Sequence, residues 1–167
     1  MLEVGEHGEL VARGANIMRG YLNNERGTSA VFRNGFFLTG DVGYQDTAGY
    51  FYIVDRIKDM IVTGGEKVYC SEVESVIDEH PAVSEAAVFG IPDTQWGEIV
   101  MACVVLRPGA SVTDEALIQH CRERLSHYKI PRRIEFSQKE LPRNSSGKVS
   151  KRELRARFWS GNERSVA

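Results

Sequence analysis

Residues 142–152 read Pro-Arg-Asn-Ser-Ser-Gly-Lys-Val-Ser-Lys-Arg, a run of small, turn-forming residues that delivers one lysine, Lys148, and then enters a basic helix. A Gly-Lys pair suggests a Walker A phosphate loop, which needs a glycine five places before the Gly and a Ser or Thr after the Lys. Those positions hold Pro142 and Val149, so that reading fails. What survives is a flexible loop presenting an ammonium, a compact point charge suited to a phosphate or carboxylate. A solvated turn before a surface helix explains the same residues equally simply.

Three groups upstream could work with such a lysine. Thr39-Gly40-Asp41 reads as the end of a β segment with a carboxylate at a glycine turn, able to accept hydrogen bonds from paired hydroxyls. An ordinary Asp turn is the alternative. Arg56 follows the aromatic run Tyr50-Phe51-Tyr52-Ile53-Val54 and offers a planar fork of donors to a hydroxyl, phosphate or carboxylate, or else a surface ion pair of little worth. Gly64-Gly65 lets a backbone approach a ligand or another chain closely, although a hairpin turn uses the same residues.

The chain that must position these groups has 167 residues and 42% hydrophobic content, enough for one domain, or one and a piece of another, with an ordinary core. Its net charge of −2 conceals an asymmetry: residues 1–121 hold 8 Lys/Arg against 18 Asp/Glu, and residues 122–167 hold 13 against 5. A basic end of this kind implies a surface for a polyanion, a charge complement folded back on the acidic part, or a solvated face. Cys70, Cys103 and Cys121 lack metal-like spacing and leave an odd count, which points to reduced thiols in a cytoplasmic setting. The four histidines are scattered, so no zinc site or His-based nucleophile is supported. No signal segment and no apolar run of about 18 residues marks export or a membrane span.

Along the chain, a strand is expected at residues 9–13, then short β segments at 36–38, 50–54 and 60–62 with glycine turns between them. Ser71-Glu72-Val73-Glu74 has the form of a capping box and predicts a helix to about His80. Residues 83–91 and 98–107 read as buried strands, and Thr113 with Asp114 and Glu115 opens a second helix whose apolar stripe is Leu117, Ile118, Cys121 and Leu125. A strand near 133–136, a last helix at 151–158 and a frayed tail at 159–167 complete the count. The fold class expected is α+β: a small domain of about three strands with helices packed on it, preceded by a β-rich remnant of a larger N-terminal domain. The charged run Asp55-Arg56-Ile57-Lys58-Asp59 suggests the boundary, giving residues 1–57, 58–158 and the tail.

Five motifs occur in a fixed order: Tyr21 with Asn23-Asn24, Gly35-Phe36-Phe37-Leu38-Thr39-Gly40-Asp41, Asp55-Arg56-Ile57-Lys58-Asp59, Gly64-Gly65-Glu66, and the Lys148 loop. Together they resemble the C-terminal part of an adenylate-forming enzyme of the acyl-CoA synthetase, luciferase and peptide-synthetase adenylation type, over residues 8–158. The resemblance implies a two-step ligase in which a fatty or other organic acid attacks Mg-ATP to give an acyl-adenylate, and the thiol of CoA then displaces AMP. It implies that Asp41 and Arg56 hold the ribose, that Lys148 bridges carboxylate and phosphate oxygens, and that Lys58 is a hinge on which a lid rotates between the steps. Gly64, Gly65 and Glu66 would then face the pantetheine, with Trp96 and Tyr128 beside the CoA nucleotide and Lys129 and Arg132 available to its phosphates.

The Mg2+ ligands, the ATP phosphate loop and the acid pocket would lie in an N-terminal domain outside this sequence, so the chain alone should not complete adenylation. Cys70 stands where relatives commonly have a proline, which alters the rigidity of that turn. A non-catalytic binding module reusing the lid, or the lid of a peptide-synthetase domain, are the alternatives. The absence of a carrier domain after residue 158 disfavours the latter, and Ser165-Val166-Ala167 differs from a peroxisomal Ser-Lys-Leu ending. Nucleic acid is not expected as a partner.

Overall fold

The computed structural model describes residues 2–160, so residues 161–167 of the expected tail, including Ser165-Val166-Ala167, lie outside it. The chain divides into two compact units between Lys58 and Asp59.

The first unit is built on one long strand. β1 (Gly8–Ala12), α1 (Glu25–Ala30) and β2 (Phe32–Arg33) precede β3 (Phe36–Gln45), which pairs antiparallel with β1, β2 and the following β4 (Phe51–Arg56). The sequence does not announce α1, because the helix has six residues and buries none of them, so it carries no apolar periodicity. Its signal is local: Asn24 caps it, its side chain accepting from the Gly27 N–H at 2.8 Å, with Glu25 in the first turn.

β3 also differs from expectation, because it continues through Thr39-Gly40-Asp41 instead of ending there. Between the pairs Val11–Leu38 and Glu9–Val42, β1 has one residue while β3 has three, so Thr39, Gly40 and Asp41 form a bulge. Gly40 supplies the positive φ of 74° that the bulge needs. Thr39 replaces the lost ladder bonds: its hydroxyl donates to the Leu10 carbonyl at 2.7 Å and accepts from the Asp41 N–H at 3.1 Å.

In the second unit, β5 (Ile61–Thr63), β6 (Glu66–Val68), α2 (Cys70–Asp78), β7 (Val83–Asp93), β8 (Gly97–Leu106), α3 (Asp114–Arg122), a 3-10 turn (His127–Lys129), β9 (Arg133–Ser137) and α4 (Lys151–Ala156) follow in order. β7, β8 and β9 make the expected three-stranded layer, β9 lying parallel to β8. The β5–β6 hairpin extends it to five strands through the pair Thr63–Gly97.

β7 and β8 are apolar on both faces, and their period of two sorts the side chains between two cores. Ala86, Val88, Val100, Ala102 and Val104 join Val73 and Ile77 of α2 and Leu117 and Cys121 of α3. Their neighbours Ala87, Phe89, Ile91, Met101 and Cys103 face Leu141, Val149, Leu154 and Phe158. Loss of a fully buried phenylalanine such as Phe89 costs about 3–5 kcal/mol.

The capping box expected at Ser71 and Glu74 does not form. The N-cap falls two residues earlier, at extended Tyr69 with no side-chain cap, and Glu74 turns instead to the sheet. β7 is an edge strand, and its outward N–H groups need partners. Glu74 accepts from the Val88 N–H at 2.7 Å, and Asp78, one helical turn on, accepts from the Ala86 N–H. Burial pushes the Asp78 carboxyl above its ordinary value, and the Ala86 N–H opposes that. Farther along the same strand, the Trp159 indole N–H donates to the Gly90 carbonyl at 3.0 Å, so Trp159 is docked where a frayed tail was expected.

The basic end is a charge complement folded back on the acidic part. Lys129 pairs with Glu72 at 2.6 Å, Arg143 with Glu85 at 2.5 Å, Lys151 with Glu74 at 2.7 Å and Arg155 with Asp59 at 3.3 Å. The last two pairs are largely buried, so salt screens them less than surface pairs. The three cysteines are buried and form no disulfide. Among the described residues no helix is long and apolar enough to cross a membrane.

α2 and α3 meet at two histidines. His120 Nε2 bonds the Val76 carbonyl at 2.8 Å, its ring lies edge-on to His80 at 5.2 Å, and His80 Nδ1 accepts from the Ala82 N–H at 3.2 Å. Burial first, then His120 and Arg124, lower the His80 pKa below its ordinary value. The folded state therefore favours neutral imidazole, so its contribution is complete above the ordinary value and is lost as pH falls through the lowered one. Thermal melts between about pH 5 and pH 7 should show stability rising with pH. His80→Asn, whose amide oxygen can accept from Ala82 without titrating, should flatten that rise; an unchanged slope would assign it to other groups.

Candidate functional site

Asp41 sits on the bulge of β3 and Arg56 at the end of β4, directly opposite in the register. Arg56 Nε lies 3.5 Å from Asp41 Oδ1, and both side chains remain partly exposed. The Ile57 N–H donates to the Gly40 carbonyl at 2.9 Å, holding the end of β4 against the bulge. The carboxylate, with spare lone pairs, can accept from a hydroxyl of a diol, and the guanidinium beside it can donate to a hydroxyl oxygen of the same diol.

Gly64 and Gly65 form the two-residue turn of the β5–β6 hairpin, with φ of 58° and 89°. Both positive values suit a type I′ turn, which glycine supplies without strain. Gly64 has a second reason to lack a side chain: a Cβ there would lie 2.7 Å from Cε3 of Trp96. At Gly65 a Cβ would meet nothing within 4 Å. Trp96 is fixed by its backbone, the N–H donating to Asp93 Oδ1 at 2.9 Å and the carbonyl accepting from the Gly64 N–H at 2.9 Å. The Arg132 guanidinium lies 4.6 Å over the Trp96 ring. The structure therefore brings Gly64, Trp96 and Arg132 together, with Glu66 exposed at the start of β6.

Tyr128 and Lys129 occupy the 3-10 turn, the Lys129 ammonium 5.7 Å from the Tyr128 ring centroid. Lys129 departs from the expectation of an available cation. Its ammonium donates to both Glu72 oxygens, at 2.6 and 2.8 Å, so its charge is compensated within the fold. Arg132, exposed on Trp96, keeps the more accessible charge.

The Lys148 loop is not a flexible run but a closed turn. Asn144 Oδ1 accepts from the Ser146 N–H at 3.0 Å, the Ser146 hydroxyl at 2.8 Å and the Lys148 N–H at 3.0 Å. The Asn144 N–H donates to the Lys148 carbonyl at 2.8 Å, and the Gly147 N–H, at a residue with φ of 80°, donates to the Asn144 carbonyl at 2.9 Å. Arg143 and Val149 form a β-bridge across the base. Lys148 itself is exposed, and among the described residues no salt bridge to its ammonium is formed.

The hairpin and the lysine turn lie at opposite ends of one β ribbon. Gly64 is bonded beside Gly97, at the start of β8, whereas the Lys148 turn is tied through Arg143 to Glu85, which faces Val105. Residues 97 to 105 are eight steps of strand, about 26 Å. The sequence named Lys148 but not Arg143, Asn144 or Glu85. Asn144 two residues before Ser146 carries an Asx-turn signal that could have found it; the Glu85 contact, 58 residues away, has no local signal.

Residues 72–148 match the family described as AMP-binding enzyme C-terminal domain. The chain is 47% identical over 149 residues to a long-chain-fatty-acid–CoA ligase of Bacillus subtilis, covering 89% of this chain and 26% of that protein. It is 47% identical over 150 residues to a 2-succinylbenzoate–CoA ligase of Geobacillus kaustophilus, covering 90% and 30%. The structure of o-succinylbenzoate CoA synthetase from Bacillus subtilis, in complex with an acyl-adenylate intermediate, matches with a TM-score of 0.84 at 44% identity, covering 92% of this chain and 31% of that one. The α+β unit after Lys58, with its glycine hairpin and lysine turn, is the small lid-type domain of AMP-binding enzymes. The chain belongs to the adenylate-forming family, as a C-terminal portion spanning about a third or less of the relatives' length.

Proposed function

We propose that the protein carrying this chain is an AMP-forming acid–thiol ligase, which joins a fatty or other organic acid to CoA through an acyl-adenylate. The observation that carries this reading is the placement of two different functional turns, Lys148 and Gly64-Gly65, at opposite ends of one compact unit. A unit so built can serve two reactions with two faces. Residues 1–57 then represent the end of the larger domain and residues 58–158 the lid.

In the first step, Asp41 accepts from the ribose hydroxyls of ATP and Arg56 donates to them. The Lys148 ammonium stabilises the negative charge that develops as the carboxylate meets the α-phosphate. In the second step the Gly64-Gly65 turn, side-chain-free and open at Gly65, lets pantetheine pass close to the backbone. Glu66 continues that turn beside the pantetheine, and Trp96 and Tyr128, with Arg132, form the expected surface for the CoA nucleotide and its phosphates. Mg2+ would be held by residues outside this chain. Relatives named for acids as different as a long-chain fatty acid and 2-succinylbenzoate share this portion, which supports an acid pocket located elsewhere. The buried thiols, none paired in a disulfide, suit the cytoplasm.

The test is a product assay of the full-length protein with ATP, CoA and a panel of carboxylic acids. AMP and an acyl-CoA should appear together for at least one acid, and the isolated chain should form neither. Nucleotide binding without product across the panel would instead mark a non-catalytic module.

A further inference from the structure

The Lys148 turn is bonded to itself, and one side chain, Arg143, ties it by hydrogen bond to the sheet. Arg143 Nη1 donates to the Gly147 carbonyl at 3.0 Å, one peptide before the lysine, while Nη2 donates to Glu85 Oε1 on β7 at 2.5 Å. The guanidinium therefore spans the gap between a rigid strand and the peptide that leads into Lys148. Glu85 lies in a well-defined place: its residue pairs with Val105 in the central ribbon, and its side chain is 28% exposed. On the other side of the turn, Val149 packs into the core with Phe89 and Leu154, which fixes the exit. Entry by Arg143 and exit by Val149 leave Lys148 between two anchored points.

We propose that Arg143, held by Glu85, is a positioning residue that sets where the Lys148 ammonium is presented, and so acts on adenylation through Lys148. This rests on the role of Lys148 given above. The fork geometry matters, since two N–H groups on one plane must reach two acceptors at once, and a lysine in place of Arg143 can satisfy only one of them well. A mis-set lysine loses charge stabilisation without changing nucleotide binding, because a displacement of about 1 Å can cost on the order of a hundredfold in rate.

The experiment compares Arg143→Gln, Arg143→Lys and Glu85→Gln in the full-length protein, each alone and in a Lys148→Ala background. Adenylate formation is followed by ATP–pyrophosphate exchange, and thioester formation by supplying the acyl-adenylate with CoA. Arg143→Gln should lower the rate constant of adenylation by about tenfold or more with the KM for ATP unchanged, and Arg143→Lys and Glu85→Gln should fall between it and the parent. Thioester formation should hold. In the Lys148→Ala background, Arg143→Gln should add no further loss, because its effect passes through the lysine. A further loss there, or equal loss in both half-reactions, would assign Arg143 a purely structural role and overturn the proposal. Parent-like adenylation in Arg143→Gln, alongside a large loss in Lys148→Ala, would overturn it too while leaving Lys148 in its role. Parent-like adenylation in Lys148→Ala would instead remove the role of Lys148 itself.

Discussion

Lys148→Ala in the full-length protein should lower adenylate formation by about 10²–10³-fold and leave thioester formation from supplied adenylate largely intact. The size follows from what is removed: a single exposed ammonium on a turn whose backbone is already fixed by Asn144. Deleting the charge creates no cavity, because the side chain is not part of either core. The melting temperature should therefore stay near that of the parent, which separates a loss of chemistry from a loss of fold. On the function proposed above, the half-reactions divide because carboxylate attack on the phosphate builds charge where a lysine can meet it, whereas thiol attack on the finished adenylate would be served by the hairpin at the other end of the ribbon. ATP–pyrophosphate exchange reads the first and acyl-CoA formation the second. Equal losses in both would place Lys148 in some shared function, such as holding AMP.

What the sequence made legible is what depends on local pattern. The two apolar strands, the cap at Thr113 and the turn glycines at 64 and 65 all appear where short-range rules put them. The N-cap at Thr113 forms because its hydroxyl meets the Ala116 N–H at 3.2 Å. The similar Ser71-to-Glu74 pattern misleads, because the Val88 N–H of an edge strand and the Lys151 ammonium of α4 compete for Glu74 and win it. The bulge at Thr39-Gly40-Asp41 was legible as a glycine position but not as a continuing strand, since its continuation shows in the pairing with β1 and β4. Long-range electrostatics were the least legible. That Lys129 is neutralised by a carboxylate 57 residues away, and that Arg56 faces Asp41 across two strands, depends on register and packing that no single segment encodes.

Lys58→Pro should have the reverse effect on the two half-reactions: adenylation persists, and thioester formation falls by about a hundredfold. The residue lies at the division between the two units, and the chain is anchored on both sides of it. Before it, the Ile57 N–H is bonded to the Gly40 carbonyl at 2.9 Å. After it, the Asp59 carboxylate meets Arg155 at 3.3 Å, the Asp59 carbonyl accepts from the Cys70 thiol at 3.0 Å, and Met60 is buried. In the proposed hinge, a reorientation of one unit against the other would be absorbed at Lys58, an exposed residue whose neighbours are each bonded within their own unit. Proline locks φ near −65° and restricts the residue before it, so it permits one backbone arrangement and obstructs the change to another. If the arrangement kept is the one that presents Lys148, adenylate accumulates and is released slowly as thioester. Lys58→Ala is the control that removes the side chain but not the rotation, and it should retain both half-reactions. Thioester formation unaffected in Lys58→Pro would remove the hinge from Lys58.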